Sequence, residues 1–180
     1  MVQHNFGYED IGGTGWGYKS STIRGTLFTC PENGTADSIT VCLSSASDVS
    51  VKVKCGLYLH SDLSFKGATE EKTLDLTTTK TWFTFNYADP KPSVLEATDY
   101  IIAAFHASSL VFIRVWYINS VADQTHYQNV AYNGFPDPLV VTHSAIQCSI
   151  YCTYTVAGGG GISVPVAMHH YSQMTRIHRG

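Results

Sequence analysis

The feature that most constrains this chain is the alternation of apolar and polar residues over short segments. In residues 38–43 the apolar side chains of Ile39, Val41 and Leu43 fall on one face. Residues 51–59 repeat the pattern over a longer stretch, with Lys52, Lys54 and Tyr58 on the opposite face. A period of two residues is typical of half-buried β-strands, and apart from a turn near residues 92–97 no segment shows a helical period. The pattern predicts an all-β protein.

Further strand-like segments lie between turn-forming stretches such as Pro31-Glu32-Asn33-Gly34 and Asp89-Pro90-Lys91-Pro92. They cover residues 23–30, 71–76, 82–87, 100–105, 111–118, 126–131 and 146–156. Segment 100–105 is almost continuously apolar, as expected of a central strand covered on both faces. About eight or nine short strands at this spacing predict an antiparallel β-sandwich of the jelly-roll type.

The domain organisation follows from the ends of the chain. We expect an N-terminal lead-in over residues 1–22, a sandwich over 23–156 and a C-terminal arm over 157–180. Gly158 to Gly161 have too much backbone freedom for a packed strand and predict a hinge. Both ends are predicted to dock on neighbouring subunits, the lead-in at residues 15–18 and the β-branched run after the hinge. The run would do so by strand addition, through Ile162, Val164, Val166 and Met168. A flexible tail is the alternative.

The composition narrows the choice of partners. Charged residues make up 14% of the chain, against about 25% in ordinary soluble domains. Such a surface repels its neighbours weakly, which favours packing against copies of itself or other structural proteins, although a merely Thr-rich β-protein would look the same. The net charge is −3 and no run of Lys or Arg occurs, which argues against nucleic acid as a partner.

The sequence contains no stretch of about 18 apolar residues, so we expect no membrane span. Residues 1–7 lack the basic and apolar regions of a classical signal peptide. Either a mature chain has received a new Met, or the protein is made and assembled without Sec export, as a virion protein would be.

Five cysteines make an odd count: Cys30, Cys42, Cys55, Cys148 and Cys152. Cys148 and Cys152 would share one face of a strand about 13 Å apart, too far to bridge each other. Their spacing does not match a zinc site. We expect buried free thiols. One disulfide from Cys30 to Cys148 or Cys152 remains an alternative.

One resemblance extends along most of the chain. Residues 23–36, followed by Ser38-Ile39-Thr40-Val41, resemble the opening of jelly-roll domains in uncharacterised archaeal, metagenomic and phage surface proteins. The match continues through residues 54–58, 81–85 and 92–100. These domains are similar to carbohydrate-binding-module sandwiches and occur as structural or adhesive modules. The resemblance implies an extracellular or virion setting without a known catalytic role.

The motifs of common active sites are missing from the sequence. It contains no Gly-x-Ser-x-Gly elbow and no His-x-x-x-His pair, and the glycine-rich stretch 12–17 lacks the Gly-Lys-Ser/Thr of a phosphate loop. Glu70 and Glu71 are neighbours on a predicted strand and point to opposite faces, so they cannot flank one glycosidic bond. We therefore predict no catalytic residues, and histidines scattered over the surface rather than a metal site. A structural Ca²⁺ remains an alternative without named ligands.

Aromatic residues are the strongest ligand-binding candidates. Trp16, Trp82, Trp116 and Tyr117 could stack on sugar rings, as aromatic side chains do in sugar-binding sandwiches. The alternative is that they fill the core and subunit contacts, where aromatics are also enriched. We therefore expect a non-enzymatic structural subunit of a virion or extracellular filament, with a carbohydrate-binding or adhesive module as the alternative.

Overall fold

Two antiparallel sheets face each other in the computed structural model, which describes residues 2–120 and 122–156. Sheet I contains β1 (Gln3–Gly7), β2 (Thr14–Tyr18), β4 (Gly34–Ser45), β7 (Thr81–Asn86), β8 (Ser93–Val94), β10 (Ile113–Asn119), β13 (Ile146–Cys148) and β14 (Ile150–Val156). Sheet II contains β3 (Thr22–Cys30), β5 (Val49–Leu59), β6 (Phe65–Leu76), β9 (Thr98–His106), β11 (Thr125–Asn129) and β12 (Thr142–Ser144). The predicted β-sandwich is confirmed.

The order of the strands is that of a jelly roll. In sheet I the neighbours run β1-β14-β4-β7, and in sheet II they run β3-β9-β5-β6. These eight strands form two Greek keys that cross between the sheets, with β5 and β6 consecutive in sheet II, and β1 pairs with β14. The segment between β9 and β14 adds β10 and β13 to sheet I and β11 and β12 to sheet II.

The main core lies between the sheets, where the alternation predicted it. Ile39, Val41 and Leu43 of β4 face alternate residues of β5 from Val51 to Leu57, and all of these side chains are buried. The apolar strand β9 pairs with β3 on one side and β5 on the other, so it is central in sheet II. Its continuous apolar sequence reflects burial on both faces, as predicted.

A second, smaller core covers the outer face of sheet II. Ile23, Ile101 and Phe105 project outwards there and pack against Leu139 and its neighbours in the connection between β11 and β12. This connection, residues 130–141, acts as a cap on the sheet, and we call it the cap segment. Leu139 also donates its backbone N–H to the Leu63 carbonyl of the β5–β6 loop at 3.0 Å. The cap explains why β9 needs apolar residues on both faces.

The N-terminal segment, predicted as a lead-in over residues 1–22 that docks on neighbours at residues 15–18, forms two strands within the sandwich. β1 pairs with β14 over its whole length, and β2 pairs with β10. Both strands therefore belong to sheet I. Glycines and polar residues interrupt the apolar–polar alternation in both strands, so their local sequence does not indicate a strand. They are strands because they pair with distant parts of the chain.

All five cysteines are buried and free, as expected, and no disulfide joins Cys30 to Cys148 or Cys152. Burial holds the pKa of each thiol above its usual range. The described residues contain no helix long and apolar enough to cross a bilayer.

Candidate functional site

The four aromatic residues predicted as ligand contacts lie in two separate places. Trp16 and Tyr117 meet at the end of the sandwich where β2 and β10 pair, with ring centroids 6.5 Å apart. Trp82 and Trp116 belong to positions of β7 and β10 that face away from the main core. The structure therefore does not bring the four together into one binding row.

Arg24 organises the first group, and sequence reasoning missed it. It projects from β3 into the sandwich, and only 2% of it is exposed. Its guanidinium lies over the rings of Trp16 and Tyr18, 4.3 and 4.2 Å from their centroids. Its Nη1 donates a hydrogen bond to the Trp16 carbonyl at 2.6 Å. Tyr127 closes the cluster, 5.0 Å from Trp16. We call Arg24 with Trp16, Tyr18, Tyr117 and Tyr127 the arginine cage.

The electrostatics of the arginine cage are unusual because the cation has no acidic partner. None of the ion pairs in residues 2–120 and 122–156 includes Arg24, and its Nε and Nη2 make no hydrogen bond. Burial lowers the pKa of Arg24 to about 10. The negative faces of the aromatic rings are thus the main compensation for a buried charge. This arrangement locks β2 to β3, and it uses Trp16 as packing rather than as an exposed platform.

The second group forms an aromatic face on the outside of sheet I. Trp82 meets Tyr151 with centroids 5.6 Å apart and planes inclined at 60°. Trp116 donates its Nε1–H to the Ser44 hydroxyl at 3.0 Å, and the Lys80 ammonium lies 3.8 Å from its ring centroid. The Trp82–Tyr151 contact is edge-to-face, which is the geometry of packed rings. All three rings are half-buried, so part of each remains accessible.

A cavity of about 510 Å³ opens at the opposite end of the sandwich from β2. Its apolar walls come from Leu59, Pro92, Leu95 and Tyr100, and its polar lining residues are Ser61, Lys66, Ser93 and Thr98. The Tyr100 hydroxyl accepts a hydrogen bond from the Leu95 backbone N–H at 3.1 Å, which fixes one wall. Leu95 is 56% exposed at the rim. These residues come from two separate stretches of the chain, 59–66 and 92–100, so no local pattern in the sequence indicated the cavity.

The end of β14 lies close to this cavity. Val156 pairs with Gly34 of β4, and Gly34 pairs on its other side with Val94 of β8. Two strand spacings of about 4.8 Å put Val156 roughly 10 Å from Val94. Val94 lies between the cavity residues Ser93 and Leu95. β14 therefore ends beside the cavity.

The remaining predicted sites have the following places. The arm residues Ile162, Val164, Val166 and Met168 lie outside the described residues. The carboxylate of Asp37, in β4, is already used within the protein, since it accepts hydrogen bonds from Lys91 and Thr155 at 2.8 and 2.6 Å. In residues 2–120 and 122–156 no group of three or more His, Cys, Asp or Glu is placed to hold a metal ion as the side chains stand. No protein-family model and no curated protein sequence matches this chain.

Proposed function

We propose that this protein is a non-enzymatic structural subunit that assembles by inserting the run Ile162–Met168 of one copy into the cavity of the next. The observation that carries the proposal is the apolar cavity beside the end of β14. The jelly-roll body would form the bulk of a virion shell or extracellular filament. The cavity and the run would form the joint between copies.

The lengths are compatible with such a joint. Six residue steps separate Val156 from Ile162, and a chain spans at most about 20 Å in that number of steps. The cavity residues next to Val94 are roughly 10 Å from Val156 by strand spacing. A neighbouring copy whose cavity opens within about 20 Å of Val156 would therefore be within reach of the run. Four of the five intervening residues are glycine, the hinge predicted from the sequence.

The chemistry of the two partners is complementary. Ile162, Val164, Val166 and Met168 alternate at a period of two, so in an extended conformation they share one face. Burying each such side chain contributes about 1.5–3 kcal/mol. The cavity offers the apolar walls of Leu59, Leu95 and Pro92 for this purpose. Two or three side chains buried in this way would contribute about 3–9 kcal/mol towards the entropic cost of association.

Assembly is tested by light scattering and electron microscopy of four proteins. The full chain and its Val140→Asp variant are expected to form ordered polymers or shells. A chain ending at Val156 and the Leu95→Asp variant are expected to stay monomeric. Leu95 and Val140 are both exposed, so both Asp variants should fold, and Val140 lies in the cap segment away from the cavity. A monomeric full chain, or assembly of the truncated chain, would refute the proposal.

Carbohydrate binding is a second candidate, favoured by the aromatic face of sheet I. Trp82 and Trp116 are half-buried there, and the Thr84 hydroxyl and the Lys80 ammonium lie on the same side. Ring faces flanked by hydroxyls suit a sugar, whose C–H groups stack on aromatic rings. A glycan array probed with the chain ending at Val156 tests this candidate. Binding lost in Trp82→Ala and Trp116→Ala but kept in Phe112→Ala would support it, and an array without any bound glycan would refute it.

A further inference from the structure

Three histidines that are far apart in the sequence meet on the outer face of sheet II. His126 of β11 lies directly opposite His143 of β12 in the strand pairing, with ring centroids 4.6 Å apart. The ring of His60, which follows β5, lies 5.3 Å from the His126 ring. Both contacts are edge-to-face, and His126 is the member that contacts both of the others. We call this group the histidine cluster.

The cap segment and β12 enclose the central ring of the cluster. His126 is 1% exposed. Gln128 lies on the same face of β11 and accepts a hydrogen bond from the backbone N–H of Val140, in the cap segment, at 3.3 Å. The bond from the Leu139 backbone N–H to the Leu63 carbonyl ties the cap segment to the β5–β6 loop. While these contacts hold, bulk water does not reach the His126 ring.

The enclosed site suits His126 only as a neutral ring. Neither of its ring nitrogens makes a hydrogen bond of normal geometry, although the backbone of Gln124 lies nearby. Burial, followed by the proximity of His143 and His60, lowers the pKa of His126 to about 4. A charged imidazole needs hydrogen-bond acceptors or water, and the closed site supplies neither. Protonation of His126 and its enclosure therefore oppose each other.

The other groups around His126 do not compensate a positive charge on its ring. Asp123, in the turn before β11, raises the pKa of His126, but its effect is smaller than that of burial and of the two outer histidines. The positions of β3 and β9 that lie level with His126 are a glycine and an alanine, which carry no charge. The titratable groups of the cap segment have contacts elsewhere, Tyr132 with the Phe105 ring and Asp137 with the backbone N–H that begins β6.

We propose that the histidine cluster is an acid-sensitive switch, in which the cap segment lies on sheet II at neutral pH and detaches when His126 takes up a proton. Strand β12 detaches with it, since it pairs with β11 over only three residues. The main core is a separate cluster between the sheets, so the sandwich stays folded. The acid form exposes Ile23, Ile101 and Phe105, an apolar face that the cap segment covers at neutral pH.

The pH range of the switch follows from the two environments of His126. In the open form the hydrated ring takes up its proton near pH 6.5, and in the closed form near pH 4. Above about pH 6.5 neither form binds the proton, and the closed form keeps its full stability. Between these two values only the open form binds it, so the ratio of open to closed molecules rises about tenfold for each unit that the pH falls. Between about pH 7.5 and pH 5 the ratio should rise about 30-fold.

Hydrogen exchange of the full chain, followed by mass spectrometry at about pH 7.5 and pH 5, measures the opening of the cap segment. After correction for the chemical exchange rate, a peptide covering residues 130–144 should exchange about 30-fold faster at the lower pH. This peptide contains the bonded N–H of Leu139. A peptide of β4, residues 38–43, should stay protected at both pH values over the same time, because its apolar side chains lie in the main core.

Two variants assign the response to the histidine cluster. His126→Leu removes the titrating ring, so its cap peptide should change by less than about threefold between the two pH values. His106→Gln is the matched control, because burial also lowers the pKa of His106 to about 4, but this residue ends β9 outside the cluster. It should keep the 30-fold rise of the cap peptide.

The unaltered protein alone can overturn the proposal, even where His126→Leu does not fold. Equal exchange of its cap peptide at the two pH values would do so, and so would simultaneous loss of protection in the cap and β4 peptides. A full response in a folded His126→Leu protein would also overturn it. The result does not depend on assembly, because the histidine cluster and the cavity are formed by different residues.

Discussion

Arg24 shows why some residues of the candidate site could not be predicted from the sequence. Alternation in β3 places it on the same face as Thr22 and Thr26, which face the other sheet. Its compensation comes from Trp16, in a glycine-rich segment that looked like a lead-in. The burial of a cation without a carboxylate partner can be explained only when the aromatic ring that covers the cation is known. The sequence therefore predicted Trp16 as a ligand contact, whereas the structure uses it to hold Arg24.

Substitutions of Arg24 separate the charge of this side chain from its shape. Lys keeps a buried charge but loses the planar stacking on Trp16 and Tyr18, whereas Met removes the charge and fills a similar volume. We expect Arg24→Lys to lower the free energy of unfolding by about 2–3 kcal/mol and Arg24→Met by about 1 kcal/mol. Urea unfolding at pH 7 measures both. A larger loss in Arg24→Met than in Arg24→Lys would show that the positive charge itself stabilises the fold.

At the scale of elements, a strand can be predicted when its own sequence carries the apolar–polar alternation or a continuous apolar run. β4, β5 and β9 are long and carry their alternation or apolar run in the sequence, and they were found. β1, β2 and β12 have at most five residues and few apolar side chains. They are strands because β14, β10 and β11 offer them an edge to pair with. Local propensity alone cannot identify such strands.

Two neighbouring residues, Leu139 and Val140, test whether the cap segment packs on sheet II. Leu139 is 1% exposed in the second core, while Val140 is 68% exposed. Leu139→Ala should lower the free energy of unfolding by about 2–5 kcal/mol, because it leaves a cavity against Ile23 and Phe105. Val140→Ala should change it by less than about 0.5 kcal/mol. Equal effects in a denaturation experiment would mean that the cap does not pack on sheet II in solution.

For the molecule as a whole, the two-residue period was enough to predict the sandwich, and the strand spacing was enough to predict its jelly-roll form. The cavity and the arginine cage were not predictable, because each joins residues from distant segments. Leu59 and Leu95 approach each other only after β5 and β8 have taken their places in opposite sheets. Such sites depend on topology, and topology depends on which strands pair over long distances.

The buried thiols make the free energy of unfolding of the whole protein fall at alkaline pH. Desolvation raises the pKa of all five cysteines, that of Cys42 to about 11. In the unfolded chain a thiol ionises near pH 9.0, so above that pH the unfolded state binds fewer protons than the folded state. The stabilisation is therefore complete below pH 9.0 and, for Cys42, is lost as the pH rises towards about 11. Each such thiol lowers the stability by about 1.4 kcal/mol per pH unit within this window.

We accordingly expect the free energy of unfolding, measured with urea under reducing conditions, to fall by several kcal/mol between about pH 8 and pH 10. Cys152→Ala should reduce this fall by about 1.4 kcal/mol, the share of one thiol. Cys152 is the position chosen for this substitution because it is fully buried in β14, and deep burial raises its pKa strongly. A thiol reagent should also label the native protein slowly and all five cysteines after unfolding. Constant stability across this range, or rapid labelling of the native protein, would mean that solvent reaches the space between the two sheets.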